Sequence, residues 1–315
     1  MKESKSLRIA VLIPCYNEEL AIAKVIDDFK RNLPDGKIYV YDNNSTDNTI
    51  DVARQAGAIV RTESLQGKGN VVRRMFADVE ADVYVMADGD ATYHADSAPL
   101  MVDKLLAENL DMVTGVRKST IQAAYRGGHR FGNAMFSLLI TKIFGDRISD
   151  LLSGYRVFSR RFVKSFPALS GEFEIETELT VHALELRMPI AEVDTPYGPR
   201  PEGSVSKLST YKDGLKILFM VFKLVKNERP LHLFGFLGLS LLLGALLLAA
   251  PLFATYFETG LVPRLPTATL VVGMTVIGVF SMFSGVIIDS NLTGRREMKR
   301  LFYLKHKSVA GGKVK

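Results

Sequence analysis

Residues 83–90 read Val83-Tyr84-Val85-Met86-Ala87-Asp88-Gly89-Asp90. A short apolar run ends abruptly in two carboxylates separated by one glycine. The run predicts a buried strand. At its end Asp88 and Asp90 can face one cation together, and an all-oxygen ligand set favours Mg2+ or Mn2+. Such cations complete their shell with substrate phosphates. As a Lewis acid the ion then assists departure of a diphosphate, which suits a nucleotide diphosphate.

Strands and helices alternate outward from this point. Residues 7–13 form an apolar, β-rich run, and 18–32 have helical spacing with Leu20, Val25, Ile26 and Phe29 on one side. Residues 37–41 are a second strand, and 42–48 a polar turn that opens a helix through Ala56. Strand 58–61, helix 67–80, strand 82–87, helix 97–108 and strand 112–115 follow. The fold class is therefore α/β, a mostly parallel sheet with helices on both faces. Ligands of such sheets bind beyond the carboxyl ends of the strands. That directs attention to residues 14–18, 42–47, 88–90 and 115–118.

Beyond residue 119 the pattern changes. An amphipathic helix is expected over 130–144, a loop over 145–154 with Asp146 and Asp150, a strand over 155–158 and a helix over 172–186. A Pro/Gly/Ser-rich loop, 196–207, carries Arg200 and Lys207. Residues 211–227 read as a basic amphipathic helix with Leu215, Leu218, Phe219, Phe222 and Val225 on one side, suited to a membrane interface.

The chain has 315 residues, a net charge of +6, 47% hydrophobic and 23% charged residues, which excludes an intrinsically disordered chain. A single cysteine, Cys15, excludes a disulfide framework and a multi-cysteine zinc site. The hydrophobicity is concentrated in residues 231–253 and 267–288, each matching the ~20 residues of a membrane-crossing helix. Residues 7–14 are too short for a secretory signal and run into Asn17, Glu18 and Glu19. Lys212, Lys216, Lys223, Lys226 and Arg229 precede the first span; Arg295, Arg296, Lys299, Arg300 and Lys305 follow the second; the connecting loop has only Arg264. The positive-inside rule then places the large N-terminal domain and both termini in the cytosol, in a multi-pass protein of the cell membrane. The expected domains are a cytosolic domain 1–210, an amphipathic segment 211–229, a two-helix transmembrane hairpin 230–290 and a basic tail 291–315. No basic recognition helix points to nucleic acid. Self-association through the two spans stays open.

Four polar junctions occur in order: Pro14-Cys15-Tyr16-Asn17-Glu18, Asp42-Asn43-Asn44-Ser45-Thr46-Asp47-Asn48-Thr49, Gly67-Lys68-Gly69-Asn70 and Asp88-Gly89-Asp90. Together they resemble the family 2 glycosyltransferases of the GT-A fold, with Pro-x-Tyr-Asn-Glu, Asp-Asp-x-Ser-x-Asp-x-Thr and Asp-x-Asp motifs. Asn43 stands where the family has its second Asp. The resemblance covers roughly residues 7–210 and implies a nucleotide-sugar site of Pro14, Tyr16, Asn17, Glu18, Asp42, Lys68, Asp88, Gly89 and Asp90. Asp88 and Asp90 would be metal ligands for Mg2+ or Mn2+, and Lys68 a phosphate ligand.

Thr114-Gly115-Val116-Arg117, Arg130, Asp150-Leu151-Leu152-Ser153-Gly154-Tyr155-Arg156 and the Arg200–Leu208 loop resemble the polyprenyl-phosphate branch, which includes dolichyl-phosphate mannose synthases. Thr92-Tyr93 departs from the Leu-Gln frequent in mannose synthases and leaves the sugar open. The resemblance implies an inverting transferase that moves a sugar from a UDP- or GDP-linked donor to a polyprenyl phosphate. Arg117, Arg130, Arg200, Ser206 and Lys207 would hold acceptor phosphate or diphosphate. A phosphate monoester with a second pKa near ~6 is already a nucleophile, so it needs cations more than a strong base. Asp150 is the candidate catalytic carboxylate, with Glu176 in reserve. Two alternatives stand: a family 2 enzyme with a glycolipid or polysaccharide hydroxyl acceptor, and a non-catalytic nucleotide-sugar-binding membrane scaffold. Against polymerising relatives, the chain has no Trp and so lacks their Gln-x-x-Arg-Trp motif.

Overall fold

The computed structural model describes residues 7–119, 148–168, 175–199, 226 and 229–309. The helices expected over 130–144 and 211–227, and with them Arg130, Arg200, Ser206 and Lys207, lie outside these residues. The chain divides into two units, Met1–Gly214 with Lys299–Lys315, and Leu215–Met298.

The first unit is built on a seven-stranded sheet in the order β3-β2-β1-β4-β6-β5-β7. Its strands are β1 (Ile9–Cys15), β2 (Lys37–Asp42), β3 (Ile59–Thr62), β4 (Val83–Met86), β5 (Met112–Ser119), β6 (Arg156–Ser159) and β7 (Ile190–Tyr197). The pairs β1·β2, β2·β3, β1·β4 and β5·β7 are parallel, and β6 runs antiparallel between β4 and β5. The helices are α1 (Ile22–Asn32), α2 (Thr49–Gln55), α3 (Lys68–Asp78), α4 (Ala98–Ala107), α5 (Arg160–Ser165) and α6 (Ile175–Glu185).

Strand alternation sorts the core into two layers. Val11, Ile13 and Cys15 of β1 and Val83 and Val85 of β4 pack with Ile22, Ile26 and Phe29 of α1 and Met101 of α4. Ala10, Leu12, Tyr84 and Met86 face the other way, against Val72, Met75 and Phe76 of α3, Phe162 of α5 and Leu179 of α6. Both faces of the central strands are therefore buried, which is why they read as continuous apolar runs.

Strand β7 and helix α5 were not expected from the sequence. β7 is a half-exposed edge strand ending in Pro196-Tyr197, so it shows neither a buried run nor a clean alternation. Strand β5 also runs past Gly115 to Ser119, because β7 pairs with it over that whole length.

Residues 299–309 pack at the amino ends of the strands, opposite the ligand side. Lys299 Nζ lies 2.6 Å from Glu185, and the Tyr303 hydroxyl donates to the buried Asp111 at 2.8 Å. The Arg161 guanidinium covers the Tyr303 ring at 4.9 Å and also pairs with Asp111. This stretch was expected to be a basic tail; its first turns are helical and held by the domain.

His182 of α6 is 2% exposed and sits edge-on to the rings of Phe162 and Phe166. Its Nε2 is 3.1 Å from Ser165 Oγ, and its Nδ1 has no partner among the described residues. Burial, helped by Lys299, pushes its pKa from 6.5 down to about 3. The folded chain keeps this ring neutral, whereas the unfolded chain protonates it below about 6.5. Stability is thus fully present above that pH and is lost as pH falls toward about 3. The loss should reach about 2 kcal/mol at pH 5. Denaturant titrations at pH 7 and pH 5 check this: His182→Leu should flatten the difference, and equal acid sensitivity in both proteins would remove His182 as the cause.

The second unit contains α7 (Pro230–Thr259) and most of α8 (Leu265–Lys305), up to Met298. The helices touch through small residues. A Cβ added at Gly238 would meet the Gly278 carbonyl at 2.6 Å, and Ser281 Oγ donates to the Phe234 carbonyl at 2.9 Å. Their most apolar stretches have mean hydropathies of 2.4 and 2.2, yet only 17% of each is buried. Soluble core helices bury such faces; here Leu246, Leu247, Phe253, Phe280 and Phe283 point outward. Both helices are candidate membrane spans.

Candidate active site

The site forms where the sheet's strands end in polar turns. The loop after β1 is stitched to the loop after β2. Asn17 N–H donates to Ser45 Oγ at 2.8 Å, and Asn17 Oδ1 accepts from Thr46 N–H at 2.8 Å. Glu18 N–H donates to Thr49 Oγ1 at 2.8 Å, and Asn48 N–H donates to Glu19 at 2.9 Å. Asn17 and Asn44 take left-handed backbone, φ 53 and 63, a conformation asparagine tolerates. Asn17 thus spends its side-chain oxygen on the loop. Pro14 is buried, and the Tyr16 ring is exposed beside it.

Asp42 closes β2 and is 2% exposed. One oxygen accepts from Ser45 N–H at 3.0 Å; the other has no partner among the described residues. A buried carboxylate oxygen left open needs a donor, which a base N–H or a ribose hydroxyl can supply. Asn43 explains its own departure from the family pattern. Its amide nitrogen donates to the carbonyls of Glu63 and Leu65 at 2.9 and 2.8 Å, and its oxygen accepts from Gly67 N–H at 2.7 Å. A carboxylate could not donate to those carbonyls. Asn43 thereby sets the turn at Gly67, φ 124, from which α3 and Lys68 start.

Lys68 Nζ lies 2.5 Å from Asp88 Oδ1 and 2.5 Å from Glu176 Oε1. Burial pushes the ammonium's pKa down, but Asp88 and Glu176 more than reverse this and it ends raised. Lys68 is therefore firmly charged and joins the turn after β4 to helix α6. Asp90 is 5% exposed, and its Oδ1 accepts from Thr92 N–H at 3.2 Å and Thr92 Oγ1 at 2.6 Å. The next residue, Ala91, has φ 57. This costs an alanine about 1 kcal/mol and holds the turn after Asp90.

The loop 150–154 closes the site from the other side. Asp150, 4% exposed, receives the Arg117 guanidinium in a fork: Nε to Oδ2 and Nη2 to Oδ1, both 2.7 Å. Arg117 also lies over the Tyr197 ring at 5.6 Å. Ser153 Oγ donates to the Gly115 carbonyl at 2.6 Å, and Gly154 N–H donates to the Tyr93 hydroxyl at 2.9 Å. A Cβ on Gly154 would fall 2.6 Å from Asp88 Oδ2, and one on Gly89 would fall 2.6 Å from Cys15 Sγ. Both glycines are present because neighbouring groups occupy the space. Gly154→Ala should push Asp88 from its place and lower kcat/KM about 100-fold with little change in melting temperature. Steady-state kinetics beside thermal unfolding checks this; activity within a few fold of the parent would remove the steric role.

The structure thus brings together Lys68, Asp88 and Glu176 directly, with the 150–154 turn packed on Asp88 and Arg117 held by Asp150. Among the described residues no three potential metal ligands cluster. Asp88 and Asp90 alone would give a divalent cation too few oxygens, so a metal held there would need phosphate oxygens as well. Tyr93, Arg156 and Tyr197 touch these residues without having been candidates from the sequence. Arg156 lay in plain view within the Asp-x-x-Ser-Gly-Tyr-Arg motif, while Tyr197 was hidden with its strand.

Comparison with known proteins agrees with this geometry. The Glycosyl transferase family 2 description matches residues 10–166. Glycosyltransferase AglJ of Haloferax volcanii is 34% identical over 296 residues, covering 93% of this chain and 97% of that protein. The dolichyl-phosphate hexose transferase of the same organism is 29% identical over 222 residues, 70% of this chain and 95% of its own length. Glucosyl-3-phosphoglycerate synthase of Mycobacterium tuberculosis, solved with Mn2+, UDP and glucosyl-3-phosphoglycerate, superposes with a TM-score of 0.57 at 23% identity, over 71% of this chain and 80% of that one. It shares the GT-A fold. Fold, strand-end motifs and full-length similarity together show that this chain belongs to the family 2 glycosyltransferases.

Proposed function

We propose that the chain transfers a sugar from a nucleotide sugar to a polyprenyl phosphate, with inversion at the anomeric carbon. The supporting observation is how the site's carboxylates are used. Asp150 gives both oxygens to Arg117, and Glu176 pairs with Lys68. A hydroxyl acceptor needs a free base; an ionised phosphate needs a fixed cation. The site offers the cation. The similarity to a dolichyl-phosphate hexose transferase supports the same acceptor class.

In this reading Asp42, Pro14, Tyr16 and Glu18 take the nucleoside. Asp88 and Asp90 would hold Mg2+ or Mn2+, which supplies Lewis-acid stabilisation to the departing diphosphate. A structural neighbour solved with Mn2+ and UDP fits that choice. Lys68 sits beside Asp88, where it can meet diphosphate oxygens. Arg117, presented by Asp150, receives the acceptor phosphate, with Arg130, Arg200, Ser206 and Lys207 as further ligands. Asp150 acts by fixing Arg117 and takes no proton. The two apolar helices anchor the enzyme in the cell membrane with its catalytic domain and both termini in the cytosol. Tethering raises the local concentration of a lipid acceptor.

The test uses the full chain in detergent with Mg2+ or Mn2+, undecaprenyl phosphate, and radiolabelled UDP-glucose, UDP-N-acetylglucosamine or GDP-mannose in turn. Label entering the organic phase from one donor supports the reading and names the sugar. Label that reaches no lipid phosphate from any donor that the protein binds would overturn it.

A further inference from the structure

Arg156 opens β6 and is fully buried. Its Cα pairs with Met86 of β4 and with Thr114 of β5. It thus lies between the strand leading to Asp88 and the strand leading to Arg117. Each of its three nitrogens has a partner. Nε donates to the Ser153 carbonyl at 2.9 Å, and Nη2 donates to the Leu151 carbonyl at 2.7 Å. Nη1 donates to Thr180 Oγ1 at 2.7 Å and approaches Met112 Sδ at 3.4 Å. Thr180 Oγ1 in turn donates to the Glu176 carbonyl at 3.1 Å.

None of these partners is a carboxylate. Burying a guanidinium on neutral acceptors is costly, and an apolar residue would fill the space more cheaply. Burial holds its pKa down to about 10, with Glu176 and then Asp150 opposing the fall, so the charge persists at neutral pH. Among the described residues its charge also faces Glu176 and Asp150, which in turn pair with Lys68 and Arg117.

We infer that Arg156 is a positioning residue of the transferase: it locks the Leu151–Ser153 turn to helix α6, so that Asp150 and Glu176 hold Arg117 and Lys68 in fixed places. The fork geometry matters, because a lysine ammonium cannot span the two carbonyls and the hydroxyl together. The kinetic part of this inference rests on the proposed lipid-phosphate acceptor.

The experiment compares the full-length parent with Arg156→Lys, the isosteric Thr180→Val, Asp150→Asn, and Arg156→Lys combined with Asp150→Asn. Arg156→Lys should lower kcat/KM for undecaprenyl phosphate about 100-fold. In the Asp150→Asn background it should cost only about three- to tenfold further, because both changes act through one arrangement. Hydrogen exchange should quicken in residues 150–154 and 175–180 in both Arg156→Lys and Thr180→Val, while β1 and β2 keep their protection. Losses that multiply, Arg156→Lys activity within threefold of the parent, or exchange that rises uniformly or not at all would each overturn the inference. If the parent labels no lipid phosphate, the acceptor reading falls, and the local exchange pattern alone decides on Arg156.

Discussion

Asp90→Asn should lower kcat/KM for sugar transfer by about 1000-fold, equivalent to ~4 kcal/mol of transition-state stabilisation. The asparagine is nearly isosteric, and its oxygen can still accept from Thr92 N–H and Oγ1. The strained turn at Ala91 therefore stays in place. In the proposed assignment, what is lost is the charge that would hold a divalent cation against a diphosphate. The melting temperature should move by no more than a few degrees, and raising Mn2+ should recover part of the loss. Transfer assays across a Mn2+ series check this. A variant retaining more than a tenth of parental activity at low Mn2+ would show that Asp90 does not carry the metal.

The second large effect concerns Arg117 and Asp150. Arg117→Lys should raise the KM for the lipid phosphate about 100-fold and leave nucleotide-sugar binding unchanged, because a lysine cannot reproduce a two-point fork on Asp150. Asp150→Asn should weaken transfer less, by about 10- to 30-fold, since the neutral amide still offers an oxygen while the fork loses its charge. The two proposed roles of Asp150 separate in the pH–rate profile. A positioning carboxylate leaves the profile's shape unchanged in the asparagine variant. A general base would lose the acidic limb along with nearly all activity.

Much of this was legible in the residues because local chemistry and fold agree. The buried strands β1, β2 and β4 are apolar runs that end in Pro14, Asp42 and Asp88, so pattern and motif reinforce each other. What escaped notice depends on pairing at a distance. β7 exists because β5 offers it an edge from Met112 to Ser119, and nothing within residues 190–197 announces that partner. Asn43 looked like a deviation until its amide was found holding the carbonyls of Glu63 and Leu65. Asp150 read as the candidate catalytic carboxylate from its motif, but a motif cannot show that both oxygens already receive Arg117. Lys68 read as a phosphate ligand, and only the folded chain shows it bridging Asp88 to Glu176, which lies 108 positions further along the sequence from Lys68.

The central claim is that the nucleophile is a lipid phosphate. The most direct test incubates the purified chain and its labelled donor with polyprenyl phosphate, the parent polyprenol and a glycolipid with free hydroxyls, followed by mass spectrometry of the lipid products. The account predicts one product, the polyprenyl monophosphate increased by a single glycosyl unit and β-linked from an α-linked donor. Transfer to either hydroxyl acceptor, with polyprenyl phosphate left unmodified, would contradict it.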